Sequence, residues 1–523
     1  MTHALRRTDG GPDEAAGQDA VFAFLADAAT HGGEPVTRID THAAAVFLAG
    51  DTVYKVKRAV RFPFLDYSTL EKRKAACETE IAVNAPFAPQ LYKEVVPIIR
   101  DANGRLAIGG HNKGDQGGPV EWALVMRRFD ATQTLDHLAG AGKINAQLAD
   151  ALGRAVADAH AKLPDTDADA WIDYLPTIVA QNDEDLRQSP ALFPPDAVKA
   201  LRRDTEAALA KLRPLLAARG KAGTVRRCHG DLHLGNIALI DGKPVLFDAI
   251  EFDPLFAAGD LFYDLAFLLM DMVERNLRDE AAIVLNRYLR ARRNDDDLDA
   301  LATLPLFLSL RAAIRAKVTA AKRQDDKDAD AARSYFALAQ RVLAPPAPQL
   351  IAVGGLSGTG KSVLAAQLAA HVLPEPGAVV IRSDVERKAL FGKAETEKLP
   401  PDAYGPDATA RVYARVAQAA GRALRAGHSV IADAVYARAH EREAIAAVAR
   451  KAGVAFHGLF LTADLSVRIA RVGARKADAS DADATVAQRQ EGYDLGALDW
   501  AQVDAGGTPA DTLRRAHDTL RRR

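Results

Sequence analysis

Two short stretches of the sequence gather residues suited to phosphate chemistry. In "HGDLHLGN", residues 229–236, Asp231 stands five positions before Asn236 at the end of a strand-like run. A carboxylate there can accept a proton from a hydroxyl, and an amide at that distance can ligate Mg²⁺. Twelve residues further on, "NIALIDGKPVLFD" ends in Asp248. The Asp241-Gly242 pair between its two apolar runs is a hairpin signal, and Asp248 at the end of the second run would supply another metal ligand. The other stretch is Gly355-Leu356-Ser357-Gly358-Thr359-Gly360-Lys361-Ser362, which fits G-x-x-x-x-G-K-[ST] at every defined position. It follows an apolar strand and opens a helix. Its glycines would let backbone amides wrap phosphates, Lys361 would reach the β- and γ-phosphates, and the Ser362 hydroxyl would ligate Mg²⁺.

Other residues could complete each set. "TVYKVKR" puts Lys55 and Lys57 on one face of a strand. Lys55 is the expected phosphate ligand, paired with a helix acid, Glu80 in preference to Glu78. In "RSDVERKALFG", Asp384 and Arg387 sit three apart at a strand-to-helix junction. The acid suits proton removal from an acceptor hydroxyl, and the arginine suits holding the acceptor or a phosphate. Asp433, which ends "SVIAD", suits either Mg²⁺ in a Walker-B position or capping of the next helix. Arg468, Arg471 and Arg475 read either as a lid reaching the phosphates or as a solvated basic face. His229 and His233 are spaced four apart, but no Glu follows His229 and Gly230 intervenes, so a helical zinc-hydrolase site is not expected. His229 is expected instead to tether its loop.

These groups need a framework. Residues 1–17 are polar and are expected to be disordered. Residues 18–343 form a first domain: a hairpin at Gly50-Asp51, a helix over "STLEKRKAACETEIAVNA" capped by Ser68 with Glu71, two more strands, then mostly helix. A Pro-rich linker covers 344–348. In 349–523 apolar strands alternate with helical patterns, which implies a parallel sheet with helices on both faces.

"HGDLHLGN", "LFDAIEFDP" and "GDLFYDLAFLL" together resemble the aminoglycoside phosphotransferase-like kinases over residues 35–340. That resemblance implies an α+β protein-kinase-like fold acting on small molecules, with Asp260 and Asp264 supporting the 229–236 loop from a helix. The P-loop, "SDVER" and the arginines after it resemble the small α/β P-loop kinases of metabolites. The whole arrangement resembles bacterial bifunctional aminoglycoside phosphotransferase-like/ATP-binding proteins. It implies ATP, Mg²⁺ and two sites that phosphorylate metabolite hydroxyls, or one kinase regulated by an ATP-binding switch. No G-x-G-x-x-G covers the phosphates; "THAAAVFLAGD" takes that place. No A-P-E segment appears, which argues against a protein substrate.

Composition narrows the partners. With 68 basic and 69 acidic residues and a net charge of −1, no nucleic-acid or membrane partner is expected. Two cysteines and an N-terminus without an apolar run suggest a cytoplasmic protein. Oligomeric state is not legible.

Overall fold

The computed structural model describes residues 8–9, 12–62, 65–101, 103–109, 118–474 and 479–522. By compactness the chain divides into two units. One comprises Met1–Ile144, Ala155–Asp271 and Leu310–Ala339; the other comprises Asn145–Arg154, Met272–Ser309 and Gln340–Arg523.

The first unit is built on a six-stranded antiparallel sheet. Its neighbours run β1 (Val36–Asp40), β2 (Ala44–Ala49), β3 (Thr52–Lys57), β6 (Pro119–Arg127), β4 (Tyr92–Arg100) and β5 (Leu106–Ile108). Side chains alternate across a sheet. Phe47, Val56 and Val125 therefore pack on one face against Val21, Phe22 and Leu25 of helix α1 (Pro12–Ala26). Val53, Leu124 and Met126 pack on the other face with Cys77 of α2 (Leu70–Asn84). The same alternation sends Lys55 and Lys57 toward α2.

Two expectations for this region need correction. The segment expected to be disordered up to residue 17 is helical from Pro12. Its anchor lies just beyond, in three buried apolar residues and in Gln18. The Gln18 amide donates to the Lys57 carbonyl (2.8 Å) and Glu121 (2.7 Å), and accepts from the Ala59 N–H. A helix nucleated there propagates cheaply toward its N-terminus. Helix α2 is capped by Thr69 rather than Ser68, because Asp66 captures the Ser68 hydroxyl at 2.6 Å.

The remainder of this unit is largely helical. Its elements include α3 (Ala146–His160), α4 (Ala168–Arg187), α5 (Pro195–Lys221), α6 (Leu261–Glu274), α8 (Leu304–Lys322) and α9 (Asp326–Leu343), of which α3, α6, α8 and α9 continue into residues of the second unit. Strand β7 (Val225–Arg227) pairs antiparallel with β10 (Ala258–Asp260). Between them lies the hairpin β8 (Ile237–Ile240) and β9 (Lys243–Leu246). Asp241 and Gly242 turn it with φ of +51° and +74°, the left-handed pair that a two-residue hairpin loop requires.

The second unit holds a five-stranded parallel sheet ordered β12 (Val379–Arg382), β13 (Val430–Asp433), β11 (Gln349–Gly355), β14 (Ala455–Thr462) and β15 (Ala501–Asp504). Parallel pairing brings the C-terminal ends of β11, β12 and β13 to one edge, where the loops after them converge. Helices α10 (Lys361–Ala369), α11 (Ser383–Leu390), α12 (Pro406–Arg425), α13 (Ala439–Ala452), α14 (Leu465–Gly473), α15 (Ala484–Gln490) and α16 (Pro509–Arg521) complete it. Helix α7 (Arg278–Arg292) belongs here too, although it precedes the Pro-rich segment in sequence. Its Asn286 accepts the Val380 N–H (2.7 Å) and donates to the Ala378 carbonyl (3.0 Å), which satisfies the open edge of β12.

Gly458 on β14 faces Trp500, which is buried against Tyr436 and Phe456. A Cβ there would collide with the indole ring. Gly458→Ala is expected to lower the unfolding free energy by about 1–3 kcal/mol, the usual range for overpacking. Denaturant titration of the variant beside wild type measures this.

Candidate active sites

In the first unit one carboxylate serves two lysines. Glu80 on α2 lies 2.7 Å from Lys55 and 2.6 Å from Lys57, one carboxylate oxygen for each. Lys55 also reaches Asp248 at 3.1 Å. Lys57 pairs further with Glu251, which accepts the Tyr67 hydroxyl at 3.0 Å. Glu78, the second choice from sequence, pairs with Lys74 on the exposed side of α2. Burial would raise the pKa of Glu80, but the charges of Lys55 and Lys57 outweigh it and hold the carboxyl below its ordinary value.

Asp248 adopts φ +62°, a left-handed conformation uncommon outside glycine. Two side chains fix it there. The Tyr92 hydroxyl accepts the Asp248 N–H (3.0 Å), and Asn84 accepts the Ala249 N–H (3.0 Å). Asp231 accepts from the Asn236 amide at 3.1 Å and lies 3.5 Å from His233. Burial opposes its ionisation, yet the His233 hydrogen bond and the charges of His233, His229 and Arg315 keep it well below the carboxylate range. His229 is bonded to the Phe247 carbonyl at 2.8 Å, so it tethers the loop to the end of the hairpin.

The loop backbone is held from helix α6. Asp264 accepts from the amides of His229 (3.2 Å) and Gly230 (2.9 Å), and pairs with His160. Asp260 forms a bidentate pair with Arg219 (2.7 and 2.8 Å). Asp271 accepts the Leu234 N–H (3.1 Å) and the Tyr335 hydroxyl (2.8 Å). Asp271 is not among the residues expected from the sequence. Its signal was available: an acid seven residues after Asp264, on the same helix face, inside a strongly apolar run.

In the second unit, residues 357–362 line a cavity of about 1330 Å³ together with Asp384, Arg387, Asp433 and Arg471. The Ser362 hydroxyl donates to Asp433 at 2.5 Å. Asp433 does not cap the next helix, which begins after Arg438. Gly355, Gly358 and Gly360 all have positive φ (+138°, +87° and +95°), and a Cβ on Gly358 would meet the Arg468 backbone. Lys361 donates to the Leu356 carbonyl at 3.2 Å.

Arg468 is neither a lid nor a solvated residue. It is buried, donates to the carbonyls of Ser357 (2.9 Å) and Ala487 (3.0 Å), and pairs with Glu491. Arg471 donates to the Gly507 carbonyl at 2.7 Å and lies 3.4 Å from that of Thr359. Arg475 lies outside the described residues. Arg387 is committed in part to the cavity wall, through the Ala403 carbonyl (2.6 Å) and the Tyr404 ring. Lys388, not anticipated from sequence, grips Asp481 at 2.7 Å. Burial, then the neighbouring Asp433, pushes the Asp384 carboxyl above its ordinary pKa; Arg382 and Lys361 offset part of this.

Both sets suit a magnesium nucleotide. Each offers oxygen ligands and only one or two carboxylates, the usual environment of Mg²⁺ when phosphates supply the rest. The glycine cradle ends at the start of α10, whose first amides have no intrahelical acceptor and can face phosphate. Asn236 and Asp248 would hold the metal in the first unit, Ser362 and Asp433 in the second.

A kinase-like α+β unit with an acid–amide–acid set, in one chain with a P-loop unit built on a parallel sheet, defines a phosphotransferase of the kinase class. Comparison with known families agrees. Residues 49–304 match the phosphotransferase enzyme family and residues 350–493 match an AAA domain. Uncharacterized proteins of Mycobacterium tuberculosis (strain ATCC 25618 / H37Rv) and Mycobacterium bovis are each 29% identical over 497 residues, 92% of this chain and 95% of theirs. Among solved structures, a gluconokinase from Sinorhizobium meliloti is 23% identical and covers 34% of this chain and 93% of its own (TM-score 0.25). An aminoglycoside phosphotransferase from Alicyclobacillus acidocaldarius is 16% identical and covers 59% and 90% (TM-score 0.34). Among the described residues no helix is long and apolar enough to cross a membrane.

Two predictions follow from the charges. Glu80→Ala leaves the buried Lys57 and the half-buried Lys55 with one acid each, Glu251 and Asp248, and is expected to cost about 1–3 kcal/mol, against less than about 0.5 for Glu78→Ala; equilibrium unfolding of the two variants compares them directly. For Asp384, a raised folded-state pKa means that the fold disfavours the ionised form. Its contribution to stability is intact below the ordinary carboxylate pKa of about 4 and is lost as pH rises through the shifted value. Asp384→Asn is therefore expected to raise the thermal midpoint at neutral pH and to leave it unchanged near pH 3, as read by calorimetry at both pH values.

Proposed function

We propose that the chain carries two phosphotransfer sites, each moving the γ-phosphoryl of ATP to a hydroxyl of a small metabolite. The observation that carries this reading is that each unit assembles its own acid beside its own phosphate-binding set. In the first, Lys55, oriented by Glu80, binds the nucleotide phosphates, and Asp231 orients the acceptor hydroxyl and takes its proton. In the second, the amides of residues 358 and 360–362 with Lys361 and Arg471 hold the phosphates. Arg475 would join them, and Asp384 takes the acceptor proton within the same cavity, with Arg387 shaping the acceptor side. Mg²⁺, when bound, neutralises the charge that develops on the transferred group. The raised pKa of Asp384 makes its carboxylate a stronger base than a free one. Both cysteines, Cys77 and Cys228, are free and buried, which fits a reducing cytoplasm.

A second reading has one observation in its favour. Arg387 spends part of its bonding on the cavity wall, as a structural residue would. The P-loop unit would then be an ATP-binding switch. Wild type, Asp231→Ala and Lys361→Ala are to be compared for ATP consumption across a panel of hydroxylated metabolites, with products identified by mass. Two catalytic sites predict that each substitution abolishes a different phosphorylation, lowering its rate by about 10²-fold or more. If Lys361→Ala only modulates the Asp231-dependent product, the switch reading holds and the two-site reading fails.

A further inference from the structure

Lys57 is a buried lysine that the phosphate-binding set leaves unused. It is the last residue of β3, and its amine pairs with Glu80 (2.6 Å) and with Glu251. It also lies 5.3 Å from the centre of the Tyr67 ring. Exposure divides this cluster in two. The side chains of Lys55 and Asp248 are 19% and 51% exposed, whereas those of Lys57, Glu80 and Glu251 are 2%, 1% and 12% exposed. A nucleotide can therefore reach Lys55 and Asp248, while the other three stand in the interior.

A buried ammonium needs an opposite charge beside it. Burial would lower the pKa of Lys57, but Glu80 and Glu251 outweigh it and hold the amine above its ordinary value. Were Glu251 neutral, the demand of Lys57 would fall on Glu80 alone, the carboxylate that also orients Lys55 (2.7 Å). Glu80 turned toward Lys57 would leave Lys55 to Asp248 (3.1 Å), the acid assigned to Mg²⁺. Glu251 is fixed in place for this part. It accepts the Tyr67 hydroxyl (3.0 Å). The backbone before it is tied by the Ala249 N–H to Asn84 and by the Ile250 N–H to the His229 carbonyl (3.0 Å each).

We propose that Glu251 is a positioning residue for the nucleotide of the Asp231 site: by sharing Lys57 it leaves one oxygen of Glu80 to aim Lys55 at the phosphates, and leaves Asp248 to the metal. This deepens the reading of that site as a kinase and rests on it. Its effect has the opposite sign to that of charge alone. Glu251 is negative and bears on Lys55, so removing its charge with the geometry unchanged would strengthen the binding of an anionic nucleotide. Loss of positioning weakens that binding. Lys57 then acts as a competitor for Glu80, and removing it together with Glu251 restores Glu80 to Lys55.

The test uses the full chain in a Lys361→Ala background, which weakens phosphate binding at the P-loop. Glu251→Gln and the double variant Lys57→Met/Glu251→Gln are compared with their parent. Calorimetry measures binding of the non-hydrolysable ATP analogue AMPPNP, with Mg²⁺ and with EDTA, and thermal midpoints are recorded alongside. Glu251→Gln is expected to weaken binding about tenfold with Mg²⁺, within the range for coupled neighbours, and less with EDTA, where Asp248 has no metal to hold. The double variant is expected to recover most of that loss, although it removes a positive charge near the phosphates. Unchanged or tighter binding in Glu251→Gln would overturn the proposal. So would a double variant that binds no better than Glu251→Gln, since Glu251 would then serve the fold alone; a lowered midpoint in both variants would accompany that result. In either case a parent that binds the analogue keeps the kinase reading intact. A parent that binds no analogue, with or without Mg²⁺, would count against the kinase reading itself and remove the proposal with it.

Discussion

The Asp231 site depends on one buried carboxylate. Asp264 is enclosed among apolar residues of α6, and it accepts the backbone amides of His229 and Gly230 while pairing with His160. The loop it holds is irregular and buried, so its amides cannot bond to water and have no strand or helix to join. Without Asp264 two donors would be orphaned under the residues that present Asp231. Two turns further along the same helix face, Asp271 does this for Leu234. One straight helix thereby fixes both ends of the loop. The helix is itself pinned by Arg311, whose guanidinium stacks on Tyr263 at 3.7 Å and donates to the Tyr263 carbonyl. Burial alone would push the Asp264 carboxyl up; the hydrogen bond and charge from His160, with His229 and Arg311, bring it below its ordinary value. It therefore stays an acceptor at neutral pH.

The P-loop unit solves the same problem with the opposite sign. Its loop must offer amides to phosphate, so the surrounding side chains take the carbonyls instead. Lys361 bonds to Leu356, Arg468 to Ser357 and Arg471 approaches Thr359. In the 229–236 loop acids consume amides and the side chains of Asp231 and Asn236 are left to face the ligand. In the 355–362 loop cations consume carbonyls, Gln490 takes the Ser357 amide, and the amides of Gly358 and residues 360–362 are left to face it. The charge of the supporting residues follows from which half of the peptide group the ligand needs.

What was legible in the sequence is local. Asp241-Gly242 specifies its hairpin, alternation specifies that Lys55 and Lys57 share a face, and the P-loop specifies the strand and helix around it. Glu80 could be chosen over Glu78 because both lie on one short helix with a single buried face. The unread features need distances between elements far apart in the chain. Glu251 and Tyr67 complete the Lys57 cluster from 194 and 10 residues away, and no spacing rule connects them. Arg468 reads as a lid residue or part of a solvated face because its helix is basic; its inward contacts, to the carbonyls of Ser357 and Ala487, lie 111 and 19 residues away in sequence. The single-residue error at Ser68 arose from competition, since Asp66 offers that hydroxyl a better acceptor than the helix amides do. The N-terminal helix was missed because polar residues precede the short apolar anchor that holds it.

Charge accounting separates structural residues from those a ligand would use. Several buried charges of the first unit are paired: Glu121 with Arg73, Asp260 with Arg219, Asp185 with Lys317, and Glu80 with its two lysines. Each set exchanges the desolvation of an ion for a nearby opposite charge, which makes burial tolerable without contributing much stability. One imbalance stands at a site: Asp384 faces Asp433 in the cavity, and Arg382 and Lys361 offset that repulsion only in part. Two facing carboxylates raise the energy of the fold, and that cost is relieved when a ligand of opposite sign binds. The same imbalance that weakens the fold supplies binding energy, and it selects the sign of what binds.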